Sequence, residues 1–206
     1  MAGEQTQRIA TVGVTEHGNS AVLVTVASDF ELIDRRTIDL TDKALPTHPY
    51  HHEGSWAVGR YRDSPWAREI TLAEAVELVE KVQAAAAVGA RASLEALTAD
   101  VTLPITSISI RECPELPPTI EECIIDNRAQ TMADTVMYRR ALATAAQARG
   151  WSVHWYDRDH VFDEAARLLG SVDINDQLAA MRKTVGPPWQ AKHKLAAAAA
   201  MTATPQ

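Results

Sequence analysis

The chain opens with three short β-rich runs and then changes to helical spacing. Residues 9–14 and 21–27 are nearly continuous in Val, Ala, Ile and Leu, the pattern of strands covered on both faces. Residues 31–40 mix charge with apolar positions, as an edge strand should. The links between the three are short, which predicts an antiparallel meander. Thr71-Leu72-Ala73-Glu74 is a Thr-x-x-Glu capping box. It opens a helix to about Leu97, with Leu72, Val76, Val79, Val82, Ala86 and Leu94 at mostly helical spacing.

A fourth strand is predicted over 104–112, alternating after Thr106, and a fifth over 151–156. Between them, Thr119-Ile120-Glu121-Glu122 is a second capping box, and the helix behind it runs to a glycine stop at Gly150. Asp159 is expected to cap a helix through Leu169, and Asp173 another to about Val185. After Gly186-Pro187-Pro188 an Ala-rich helix spans 189–200, its small side chains permitting close approach to the sheet, and 202–206 form a frayed tail. Residues 41–70, with Pro46, Pro49, Pro65, Gly54 and Gly59, read as a long ordered loop or small insertion, a length uncommon unless functional. This order of strands and helices describes one α/β domain over 1–206. It predicts a five-stranded mixed sheet, three antiparallel strands then two parallel, flanked by helices.

Composition narrows the function classes. The 206 residues can bury a core without disulfide or metal staples, and 46% hydrophobic content excludes wholesale disorder. No apolar run reaches the ~18 residues of a membrane span, and the N-terminus lacks a signal-peptide core. Cys113 and Cys123 form no Cys-x-x-Cys pair, which fits a reducing, cytoplasmic compartment. With 20 Lys+Arg against 27 Asp+Glu, the net charge of −7 argues against broad, non-specific nucleic-acid binding. There is no Gly-rich phosphate loop, which disfavours a nucleotide-driven motor.

Three segments carry a resemblance. Val12-Gly13-Val14-Thr15-Glu16-His17-Gly18-Asn19-Ser20-Ala21 ends the first strand and turns into the second. Ile108-Ser109-Ile110-Arg111-Glu112 ends the fourth in a glutamate, and Lys192-His193-Lys194-Leu195-Ala196-Ala197-Ala198 sets a histidine in the Ala-rich last helix. With the element order, these resemble the ribonuclease H-like superfamily, closest in text to RuvC-type Holliday-junction resolvases. The resemblance implies two magnesium or manganese ions about 4 Å apart, held by strand-end and last-helix carboxylates, that hydrolyse nucleic acid. Here Thr15 stands at the first-strand Asp position and Ala196 at the second acid of the last helix, while Glu112 keeps an acid.

Two readings follow. Glu16, turned inward through an irregular strand end, would join Glu112 and His193, with His17 beside them, as the metal-binding and catalytic set of a divalent-metal-dependent nuclease acting on structured DNA or RNA. Alternatively the nuclease site is incomplete and the protein is a non-catalytic binding or scaffolding subunit, possible as a homodimer through the long helix.

Other candidates lie outside this set. His48, His51, His52 and Glu53 suit zinc or a similar transition ion, an alternative metal site for a small-molecule enzyme; a solvated His-rich loop is the competing reading. Folded over the sheet's C-terminal edge, this loop would be a lid beside Glu112. Residues 126–134 open the long helix with little apolar content, either lying near nucleic acid or projecting into solvent or a subunit interface. Arg128, Arg139, Arg140, Lys192 and Lys194 are candidate phosphate contacts, against a reading as solvated faces. Trp189 reads as a staple for the last helix, and Trp151, Trp155 and Tyr156 as core of the fifth strand. Trp56 and Trp66 read as exposed partner anchors.

Overall fold

Gly18, at φ +56°, begins a two-residue turn that reverses the chain between β1 (Ala10–His17) and β2 (Ser20–Ala27). The turn uses only Gly18 and Asn19, so Thr15, Glu16 and His17 stay in the ladder, opposite Val22, Ala21 and Ser20. The first strand therefore extends three residues beyond the predicted 9–14, and the expected irregular end at Glu16 is absent from this pairing. The computed structural model describes residues 8–51 and 70–204. Of the residues singled out above, His52, Glu53, Gly54, Trp56, Gly59, Pro65, Trp66, Pro205 and Gln206 lie outside the described residues.

β3 (Leu32–Asp39) pairs antiparallel with β2, while β4 (Ile105–Arg111) and β5 (Ser152–Tyr156) join parallel to β1 and to each other. The sheet order is β3-β2-β1-β4-β5. This is the expected five-stranded mixed α/β sheet, with the charged third strand at an edge.

One face packs on α1 (Leu72–Asp100), α2 (Ile120–Ile125) and α3 (Asn127–Gln147) through Val12, Val14, Val79, Leu94, Ile108 and Tyr138, among other core residues. The other packs on α4 (Val161–Leu169), α5 (Ile174–Val185) and α6 (Ala191–Thr202) through Val22, Val24, Leu178 and the alanines 196–200. Both predicted capping boxes form, at Thr71–Glu74 and Thr119–Glu122.

The last helix approaches as closely as its composition suggests. A Cβ on Gly13 would lie 1.8 Å from the Ala196 carbonyl oxygen, so only glycine admits this contact. Hydroxyls on the same face tie strands to helix: Thr11 Oγ1 donates to the Ala200 carbonyl at 2.8 Å and Thr15 Oγ1 to the Lys192 carbonyl at 3.0 Å. No helix among the described residues is long and apolar enough to cross a membrane.

Local expectations differ from the structure in several places. The predicted long helix after Thr119 is two helices, because Asp126 ends α2 and caps α3, accepting from the Arg128 and Ala129 amides at 2.7 and 2.9 Å. The polar opening of α3 is two-sided: Gln130 and Asp134 are buried and satisfied by hydrogen bonds to Ile124, Tyr50 and His51, while Asn127, Arg128 and Thr131 are exposed, Thr131 on the strand-end side. Asp159 does not cap α4: His160 stands at that position, and Asp157 takes the amide of Asp159 instead. Trp151 and Tyr156 are core as expected, but Trp155 is 39% exposed.

Candidate functional site: a cleft at the strand ends

Because β1, β4 and β5 run parallel, their C-terminal ends share one edge of the sheet, where open α/β sheets place their ligands. A cleft of about 850 Å³ opens there. Its walls carry Glu16 and His17 from β1, Arg111 at the end of β4 with Glu112 just after it, and Asp157 and Arg158 just after β5. α3 contributes Thr131, Thr135 and Arg139, and the segment after β3 contributes Thr47 and His48.

Strand alternation decides where each first-strand side chain points. Gly13 and Thr15 face α6, so Glu16 faces α3. There it meets Arg139, whose Nε donates to Glu16 Oε1 at 2.7 Å while a second guanidinium nitrogen pairs with the same oxygen. Another nitrogen, Nη1, donates to the backbone carbonyl of Glu112 at 2.7 Å. The Arg139 and Glu16 side chains keep only 4% and 6% of their exposure. One guanidinium thus bridges the ends of β1 and β4 from inside the protein.

The cleft floor is ordered by Tyr156, whose hydroxyl donates to the Val14 carbonyl at 2.9 Å. Burial pushes its phenol up to about 12, so it remains protonated. Cys113, on the wall, is also pushed up, by burial, against the opposing charges of Arg139 and Arg140. Arg111 and Arg158 make no side-chain hydrogen bond or ion pair among the described residues.

The described part of the 41–51 segment is clamped to α3. Tyr138 donates its hydroxyl to the Thr47 carbonyl at 2.8 Å, and the Tyr50 amide donates to Asp134 at 2.9 Å. His51 Nδ1 lies 2.5 Å from the other Asp134 oxygen, and the His48 and His51 rings are 5.3 Å apart. His48 thereby reaches the cleft that Glu112 lines. Burial holds the Asp134 carboxyl above its ordinary value, against the opposing pull of His51 and Tyr50.

The comparisons with known proteins find no family model that matches the chain and no matching curated protein. Solved structures that it resembles include RuvC of Thermus thermophilus in complex with a Holliday-junction substrate, at 12% identity, 94% of this chain, 91% of that chain and TM-score 0.47. Another is a Thermus thermophilus RuvC structure at 14% identity, 94% and 92% coverage and TM-score 0.45.

The sequence-predicted residues divide sharply in space. Glu16 and Glu112 come together at the cleft; His193 does not line it. His193 is buried at the start of α6, its Nδ1 accepting from the Gln190 amide at 3.0 Å and its ring stacked on Trp189 at 5.9 Å. Burial holds it below the ordinary histidine value. Trp189 therefore does anchor the last helix, through that ring. Arg139 is a buried structural cation, Arg140 faces a different groove, and exposed Arg128, Lys192 and Lys194 are absent from the cleft lining.

The donor set does not fit a pair of hard cations. Glu16 is already neutralised by Arg139, Thr15 is engaged with α6, and His193 spends its Nδ1 on a helix cap. Among the described residues no group of three or more His, Cys, Asp or Glu could hold a metal ion. Arg111, Arg158 and Asp157 were not singled out in the sequence. The available signal was position, since each lies at or just after the end of a parallel strand.

Proposed function

We propose that this chain is a ribonuclease H-like, nucleic-acid-associated protein that binds structured DNA or RNA at the strand-end cleft without hydrolysing it. The observation that carries this reading is the Arg139 bridge. A cation fixed between the first- and fourth-strand ends occupies the electrostatic role that metal ions fill in a two-metal nuclease, and it cannot activate water. What remains accessible is Arg111 and Arg158, flanking the cleft with free guanidinium groups suited to phosphate oxygens. Binding is local, since acidic groups surround these arginines and the whole chain is negative.

The test is fluorescence anisotropy with a labelled four-way junction, a single strand and an RNA–DNA hybrid at low salt. The reading expects saturable binding to a structured substrate, with Arg111→Ala/Arg158→Ala reducing the slope of log affinity against log salt by about 2. Absence of binding to all three would remove the nucleic-acid assignment, and an unchanged slope would remove these two arginines from it.

A further inference from the structure

A second groove, of about 300 Å³, lies between α1 and α3 on the face of the molecule where Arg140 emerges. Its walls mix apolar and polar surface, the apolar part coming from Ala87 of α1 and Met137 and Ala141 of α3, among others. Its polar groups are few: the Tyr50 hydroxyl, Gln83, Thr144 and the exposed Arg140 guanidinium. Gln83 Nε2 donates to the Tyr50 oxygen at 3.0 Å, which leaves the phenol hydrogen for another acceptor. Burial pushes the Tyr50 phenol up to about 12, so that hydrogen is present throughout the neutral range. Arg140 has no side-chain hydrogen bond or ion pair among the described residues.

We infer that this groove binds a small apolar carboxylate, its tail against the alanine and methionine walls and its carboxylate on Arg140 and the Tyr50 hydroxyl. Shape and charge lead to the same ligand class. A recess with an apolar wall and a few convergent donors is the usual form of a small-molecule site. An unpaired guanidinium beside a neutral hydroxyl selects an anion with two oxygens on one plane. At about 30 Å³ per water-sized group, the volume holds roughly ten non-hydrogen atoms, the size of octanoate. A free acid of that size fits, whereas a folded partner would need a far larger surface. The small side chains at 87 and 141 create the recess, so enlarging one closes it.

The experiment is calorimetric titration of the full chain with octanoate below its micelle concentration, with octanol and acetate as probes lacking the charge or the tail. The inference expects one octanoate per chain, with octanol and acetate each at least ten-fold weaker. Arg140→Gln is expected to weaken octanoate by roughly ten-fold or more, the range for a charged hydrogen bond, and Tyr50→Phe by less. Ala87→Leu is expected to abolish binding, while the melting temperature of Arg140→Gln stays at the wild-type value because Arg140 is exposed. No saturable octanoate binding would overturn the inference. So would equal affinity for octanol, an Arg140→Gln variant that binds unchanged, or a Leu-terminated tetrapeptide that outcompetes octanoate.

Discussion

Arg139→Met is the perturbation that bears most directly on the cleft. The guanidinium holds Glu16 Oε1 through Nε at 2.7 Å and through a second nitrogen, and it donates to the Glu112 carbonyl at 2.7 Å. Both side chains are more than nine-tenths buried, so solvent screens the pair little. Removing one member of such a pair leaves a charge in a poor dielectric, at a cost of about 3–5 kcal/mol. An unfolding entropy of about 2.1 cal/mol/K per residue, over 206 residues, converts this to a fall in melting temperature of about 7–12 °C. Circular dichroism melting of the variant measures it. Arg139→Met combined with Glu16→Gln is expected to recover most of the loss, because no unpaired charge is left behind. A single variant within about 0.5 kcal/mol of wild type would refute the buried bridge. Strictly additive losses in the double variant would show that the two residues do not act as a pair.

Three further outcomes follow from the same contacts. Gly13→Ala drives a Cβ into the backbone of α6, 1.8 Å from the Ala196 oxygen, and is expected to cost about 3 kcal/mol or more in urea unfolding; a neutral result would contradict the close approach. Thr15→Asp, which puts an acid where the ribonuclease H-like resemblance expects one, is expected to yield no cleavage of a four-way junction. It should also lower stability by about 1–3 kcal/mol, because the carboxylate faces the Lys192 carbonyl and not the cleft; metal-dependent cutting by this variant would overturn that placement. His193 is held below 6.5 mainly by burial, with Arg35 and Lys192 adding to the effect, and its neutral Nδ1 caps α6. Its contribution is therefore complete above pH 6.5 and declines as pH falls towards the folded-state value; His193→Gln should lack that acid-side step in melting temperature, and an identical step in both proteins would refute it.

Much of the fold was readable because its signals are local. The two Thr-x-x-Glu boxes specify their own helix starts, and the apolar runs of β1 and β2 announce strands covered on both faces. Asp126 was harder, since one residue ends one helix and starts the next, and nothing in composition marks the joint. The polar run after it misleads for a physical reason: Gln130 and Asp134 are buried because partners distant in sequence satisfy them, Tyr50 and His51 lying 84 and 83 positions away from Asp134.

The candidate site was legible only in part. Glu16 and Glu112 follow from strand ends, and their gathering at one edge follows from the parallel register. The pairing of Glu16 with Arg139 does not, because that residue lies 123 positions from Glu16 and its charge reads locally as half of an Arg-Arg pair. The structure separates that pair, sending Arg139 to the cleft and Arg140 to the groove behind it. His193 looked like a ligand by its place in the last helix, yet it is buried and its Nδ1 accepts from the Gln190 amide at the start of α6.

The central claim is that a cleft bridged by Arg139 binds nucleic acid without cutting it, and one cleavage assay tests it most directly. Purified protein is incubated with an end-labelled four-way junction at low salt in magnesium and, separately, in manganese, and the strands are resolved under denaturing conditions. The account predicts a retarded complex on a native gel and intact strands on the denaturing gel in both ions. Site-specific cutting that appears with either ion and disappears in Glu112→Gln would contradict it.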